Sequence, residues 1–240
     1  MCTVIVRVPE DPAVPTRLLA IRDEDPDRPW HPLGAWWPDE HPGVVGVHDV
    51  RAGGAWLAAD PATTRLAVLL NRADTSPLAD DAVLSRGTLP LASVEGTLGD
   101  APPPTRGFNL LEVGPEGSRV VSWDGESLRA VPLAPGTHMI AHDDLDDPRT
   151  ARITTWLPRF AEAPEPQDDD AWWDDWLAIV AESAALAATD DRALIRDHRH
   201  LGIPTLSLMV AVASVGGDAA ELDVRDATLP APGVWGRIGF

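Results

Sequence analysis

Cys2-Thr3-Val4-Ile5-Val6-Arg7-Val8 is the stretch on which the reading of the whole chain turns. β-Branched residues dominate it, which predicts a strand over Thr3 to Val8. Cys2 is the only cysteine and directly follows Met1. Initiator methionine is normally removed when the next side chain is small, so the mature chain is expected to begin with a thiol and a free α-amine on one residue. The ordinary pKa of that amine, about 7.7–8.0, lies close to that of a thiol at about 8.5. The amine can therefore serve as the base for its own side chain, with no catalytic histidine. A strand behind it holds the terminus in place instead of letting it fray. The same residue also reads as a small apolar side chain at a strand start, since buried free cysteine is common.

Composition narrows the classes of function. The 240 residues are 44% hydrophobic, enough for one sizeable core, and a single domain over residues 1–240 is expected. The net charge of −19 makes the chain a poor partner for nucleic acid or an anionic membrane, which need basic stripes. It contains no lysine, so every basic side chain other than histidine is arginine. One cysteine excludes an internal disulfide framework and a cysteine-rich zinc site. No charged leader precedes an apolar core, and no run approaches the roughly 20 apolar residues of a membrane span. A cytoplasmic location is the expectation, one that suits a thiol kept reduced. Oligomeric state is left open.

Working outward, Arg17 to Arg22 reads as the hairpin partner of the first strand, across a turn at Glu10 to Pro15. Asp23, Glu24 and Asp25 follow. Pro26 to Pro42, carrying Trp30, Trp36 and Trp37, reads as a long aperiodic loop, either a lid or binding loop or a surface loop pinned by its aromatics. Short strands are expected at Val44–Val47 and Gly54–Leu57. Arg65 to Leu70 is almost wholly apolar and is expected to be a central strand covered on both faces. Ser76, Asp80 and Asp81 suggest a capped helix running to about Ser85. After a proline linker at Ala101 to Pro104, a meander is expected over Phe108–Val113, Val120–Trp123 and Leu128–Val131. Thr137–Ala141 reads as a strand and Arg149–Ala161 as a helix. Another helix follows the acidic start Asp168 to Asp170, with Trp172, Trp173, Trp176, Leu177 and Val180 at core spacing. Leu206–Val215 and Glu221–Val224 form a closing hairpin. Strands dominate and helices come in separate blocks, which predicts an α+β fold rather than alternating βαβ units.

Several short motifs, in this order, resemble one family. The chain opens Met1-Cys2, and Ile21-Arg22-Asp23-Glu24 stands where that family carries Asn-Arg-Asp-Glu. Arg28-Pro29, Gly53-Gly54-Ala55-Trp56-Leu57-Ala58, Leu70-Asn71, Ser85-Arg86-Gly87 and Gly107 to Leu111 follow. Pro135-Gly136, His142 and Leu145-Asp146 complete the series, which fades past about residue 160. These residues resemble the NRDE family, also called the transport and Golgi organisation protein 2 family, which is distantly similar to N-terminal-nucleophile hydrolases.

The resemblance implies a four-layer αββα sandwich of two mainly antiparallel sheets, with Cys2 at the end of a central strand. It implies Cys2, Arg22, Asp23 and Asn71 as catalytic residues, with Asn71 helping to bind the oxyanion. The second oxyanion asparagine falls at His142. A late arginine of the hydrolase group has no evident counterpart. The implied reaction is hydrolysis of a small amide or acyl compound with no cofactor. Arg22 is expected to lower the thiol pKa by its fixed charge. Adjacent strand residues point to opposite faces, so Arg22 and Asp23 both reach the thiol only if the strand bends. If it stays straight, Arg22 and Glu24 share a face and Asp23 becomes structural.

A non-catalytic alternative stands beside this one. Family members have been linked to haem or acyl-lipid handling, and the loop tryptophans Trp30, Trp36 and Trp37, with His142, are candidates to line such a pocket. His198 and His200, two apart on a presumed strand, and His138 with His142 are weak metal candidates lacking a recognisable ligand interval, and no metal site is expected. Asp143 to Asp147 reads as a capping turn, since it lacks the calcium-loop pattern.

Overall fold

The computed structural model describes residues 2–75, 78–99, 101, 103–165, 171–218 and 220–240. The opening hairpin forms as expected. Strand β1 (Thr3–Val8) pairs antiparallel with β2 (Thr16–Glu24), Thr3 opposite Ile21 and Arg7 opposite Arg17. The chain then lays down β3 (Trp30–Gly34), β4 (Val45–Asp49), β5 (Gly54–Asp60) and β6 (Arg65–Asn71) before helix α1 (Thr88–Val94). The meander follows as β7 (Phe108–Gly114), β8 (Gly117–Trp123) and β9 (Leu128–Pro132), then β10 (Gly136–Ile140). Helices α2 (Ala151–Glu162) and α3 (Asp174–Ser183) precede the closing hairpin β11 (Leu206–Gly216) and β12 (Glu221–Thr228).

Two antiparallel sheets result. The first has the order β10-β1-β2-β11-β12 and the second runs β3 through β9 in sequence order. The apolar strand β6 is the middle of the seven, as its composition predicts.

Strand periodicity then sorts side chains into three apolar layers. Val4, Val6, Leu18 and Ala20 meet Leu57, Val68 and Leu111 between the sheets. Their alternates Ile5, Leu19 and Ile21 pack against Ile153, Trp156 and Phe160 of α2 and Trp176 and Val180 of α3. On the far side, Ala58, Ala67, Leu69 and Leu110 receive Leu89, Leu91 and Val94 of α1. The stacking order is therefore helices, sheet, sheet, helix, an α+β sandwich. The tryptophan stripe of Trp172, Trp173 and Trp176 is core.

Three expectations are corrected. The helix expected from Ser76 to Ser85 is only a 3₁₀ turn at Asp80–Ala82, with Ser76 itself outside the described residues. Helix α1 comes later, after Gly87, where its apolar residues have a sheet face to cover; Leu84, by contrast, stays 61% exposed. The stretch from Pro26 to Pro42 contains edge strand β3, whose Pro32 masks it in the sequence. His198 and His200 do not share a strand face, because Arg199–Leu201 is a 3₁₀ turn. The acidic start at Asp168–Asp170 lies outside the described residues, and α3 carries Asp174 and Asp175 in its first turn instead.

The Asp143 to Asp147 run makes turn contacts: Asp146 Oδ1 accepts from the Met139 N–H at 2.7 Å, and Asp147 Oδ1 from the Arg149 N–H at 2.8 Å. Among the described residues no helix is long and apolar enough to cross a membrane.

Candidate active site

Continuing the β1–β2 register past Thr3 and Ile21 places Cys2 beside Arg22, on the side facing the second sheet. There the sheets part into a cleft of about 760 Å³, lined by Cys2, Arg22, Trp56, Asn71 and Arg86 among others. Cys2 is 6% exposed. Its sulfur accepts from the Asp23 backbone N–H at 3.4 Å and donates to the Asp23 carbonyl at 3.7 Å. Burial pushes the thiol pKa up. Arg22 does act to lower it, but burial outweighs that charge, so the net shift expected from the guanidinium is reversed.

Strand β2 keeps its alternation through Arg22-Asp23-Glu24, and the irregularity lies in β11, where Leu208 is the extra residue: Met209 stands opposite Arg22, Ser207 opposite Asp23 and Leu206 opposite Glu24. Arg22 and Glu24 consequently share the cleft face, their charged atoms 3.6 Å apart. The Arg22 guanidinium also lies 5.4 Å from the Trp30 ring centroid. Burial lowers its pKa, with Glu24 opposing. Asp23 turns the other way, and its Oδ1 accepts from Ser207 Oγ at 2.6 Å. Its contact with Cys2 is made by the backbone alone in the hydrogen bonds above.

Asn71 ends β6 and faces the cleft. His142 does not line it; its Nε2 is 3.3 Å from Asp143 Oδ2, and burial depresses its pKa. Of the loop tryptophans, only Trp30 approaches a site residue. Trp37 is buried against the α1 side of the second sheet, donating to the Gly53 carbonyl at 2.8 Å. The Trp36 ring lies tilted against His31, centroids 4.4 Å apart. None of the three lines the cleft, which takes Trp56 of β5 as its aromatic wall. The prolines around Trp36 and Trp37 gave no means of telling packing from binding.

The Gly53-Gly54 and Ser85-Arg86-Gly87 segments meet each other. The Ala55 N–H donates to the Gly87 carbonyl at 2.8 Å, and Arg86 Nη1 donates to the Gly107 carbonyl at 2.7 Å. Asn109, in the unchanged Gly107 to Leu111 segment, ties the two sheets together: its Nδ2 donates to Asp143 O at 2.7 Å and Ala141 O at 3.3 Å, while Oδ1 accepts from Ser122 at 2.7 Å.

The sequence model of the family Transport and Golgi organisation 2 matches residues 1–200. The chain belongs to this family. No curated protein matches it. Among the described residues there is no group of three or more His, Cys, Asp or Glu side chains placed to hold a metal ion.

The Transport and Golgi organisation 2 match ends six residues before β11, yet that strand supplies Ser207 and pairs with β2. Ser207 belongs to a buried polar group behind Cys2 that the sequence reading missed. Ser207 Oγ accepts from the Arg196 N–H at 2.8 Å, Arg196 Nε donates to His198 Nε2 at 3.2 Å, and Arg152 Nη1 donates to Thr3 Oγ1 at 2.8 Å. Burial lowers Arg152 to about 10 and His198 to about 4. His198 is thus neutral near pH 7; with Nε2 accepting from Arg196, its Nδ1–H faces Thr205 Oγ1 at 3.1 Å. A signal existed for Arg152, which stands in step with Trp156 and Phe160 on the core face of α2.

Proposed function

We propose that this protein is a cysteine N-terminal-nucleophile hydrolase that cleaves a small amide or acyl compound once Met1 has been removed. The single observation that carries the reading is the seat of Cys2, whose sulfur borders a cleft between two sheets beside a buried guanidinium. The raised thiol pKa means the resting sulfur is protonated, so a base must act during the reaction. The freed α-amine of Cys2 takes that proton. Sulfur then attacks the acyl carbon, and the carbonyl electrons move onto oxygen. Asn71 donates to this oxyanion, a kind of contact typically worth about 2.7–4 kcal/mol in the transition state. Collapse expels the amine or alcohol, which leaves with the proton held by the Cys2 ammonium. Water, deprotonated by the same amine, cleaves the thioester and restores the thiol. Arg22 favours the thiolate by its charge, while Asp23 fixes the terminus through its backbone and through Ser207.

Intact mass of the purified protein tests this directly. Loss of Met1, followed by a single acyl adduct that is absent in Cys2→Ser, is the expected result. Retained Met1 leaves no free amine on Cys2 and sinks the hydrolase, leaving a protein that binds a haem- or acyl-lipid-like ligand without turnover. A haem titration followed by absorbance tests that alternative.

A further inference from the structure

The walls of the Cys2 cleft have a charge opposite to that of the chain. In a protein of net charge −19, the described residues that line this cleft include five arginines and three carboxylates. The carboxylates are already engaged. Asp49 accepts from Arg28 at 2.7 and 2.8 Å, Glu24 is shared by Arg22 at 3.6 Å and Arg28 at 3.8 Å, and Asp23 points away toward Ser207.

That leaves donors without acceptors. Arg86 is partly buried and bonds only to the Gly107 carbonyl, with no ion pair among the described residues. Arg22, 2% exposed, has an Nη1 with no hydrogen-bond partner, and Trp56, 6% exposed, has an Nε1 in the same condition. A buried donor left unmatched is costly, and here the two buried orphans and the unpaired cation border the same space. What each of them lacks is an acceptor, and for two of the three a negatively charged one is best.

We propose that the cleft binds a ligand through an oxyanion group, a carboxylate or a phosphate, with Arg86 as its ionic anchor and the free N–H groups of Arg22 and Trp56 as further donors. This names the substrate class of the hydrolase reading, on which its catalytic meaning rests: an acyl compound that also carries an anionic oxygen group. Guanidinium suits either oxyanion, because its fork matches both.

Calorimetric titration of the full-length protein with hexanoate, hexyl phosphate and hexanamide is the test. At least one of the two anions is expected to bind about tenfold or more tightly than the isosteric amide, and which one binds better identifies the group. Arg86→Gln is expected to weaken the preferred anion about tenfold, with Arg86→Lys recovering part of the loss and Trp56→Phe losing less. Circular dichroism and melting temperature verify that each variant is folded. Equal binding of amide and anion, no binding by any of the three probes, or unchanged binding in folded Arg86→Gln overturns the proposal. Cys2→Ala separates it from the hydrolase reading. Anion binding that survives in Cys2→Ala, with no acyl adduct on the wild type, sinks the hydrolase alone; a Cys2 adduct with no anion preference sinks this inference alone.

Discussion

Gly54 and Gly87 meet backbone to backbone: a Cβ on Gly54 would stand 2.3 Å from the Gly87 carbonyl carbon. No side chain can yield there, because the obstruction is main chain. The contact seats the turn that carries Arg86 against the first residue of β5. Gly54→Ala is therefore expected to destabilise the protein by about 1–3 kcal/mol and to shift that turn. Urea unfolding gives the first, and weakened hexanoate or hexyl phosphate binding in the folded variant gives the second. Unchanged stability would mean that the two segments part without loss.

Ser207 serves two buried groups with one hydroxyl, donating to Asp23 Oδ1 and accepting from the Arg196 N–H. Ser207→Ala leaves both short of a partner and is expected to cost about 1–3 kcal/mol in denaturant unfolding. The loss should exceed that of Ser127→Ala, whose backbone N–H, not its side chain, makes the contact with Asp124.

His198 makes stability depend on pH in a defined direction. Its folded-state pKa, about 4, lies below the ordinary 6.5, so between these values the unfolded chain binds the extra proton. Stability from this group is complete above pH 6.5 and declines as pH falls toward 4, by up to about 3 kcal/mol. His198→Gln should flatten that part of the curve of unfolding free energy against pH. A wild-type curve with no rise from pH 4 to 6.5 would contradict the buried neutral imidazole.

Arg22 works against the burial that raises the Cys2 pKa. Removing its charge with Arg22→Met is expected to move the thiol titration further up, read from the pH dependence of iodoacetamide alkylation at this single cysteine. A midpoint that stays put would detach Arg22 from the sulfur.

Asn109 is fully buried and holds carbonyls of the segment after β10. Asn109→Ala strips those carbonyls and the Ser122 hydroxyl of their partner, and a loss of about 2–3 kcal/mol is expected in urea unfolding.

The strands were legible because alternation and β-branching are local: β1, β2 and β6 can be read from their own residues, and β6 even announces its central place by being apolar throughout. Helix α1 was not, since Thr88–Val94 is short and contains Pro90, and its stability comes from the sheet face beneath it. At the site, Cys2, Arg22 and Asn71 could be picked out by motif order and do border one cleft. The opposite facing of Arg22 and Asp23 could not be read, because their partners Met209 and Ser207 lie on β11, far along the chain. Trp36 and Trp37 misled for a related reason: an aromatic in a proline-rich stretch looks the same whether it pins a strand or greets a ligand. Arg86, Trp56 and Ser207 matter through partners they lack or share, and that is visible only in three dimensions.

The outermost strands have a consequence for how this protein meets others. β3 contains Pro32 and β9 ends in Pro132, so both borders of the larger sheet lack a main-chain donor. On β10, Asp146 occupies the amide of Met139 and its own N–H takes the Met139 carbonyl. β12 presents Glu221, Asp223 and Asp226. A neighbour seeking to extend either sheet meets imide nitrogen, an occupied peptide or negative charge, which disfavours fibril growth and strand-swapped assemblies.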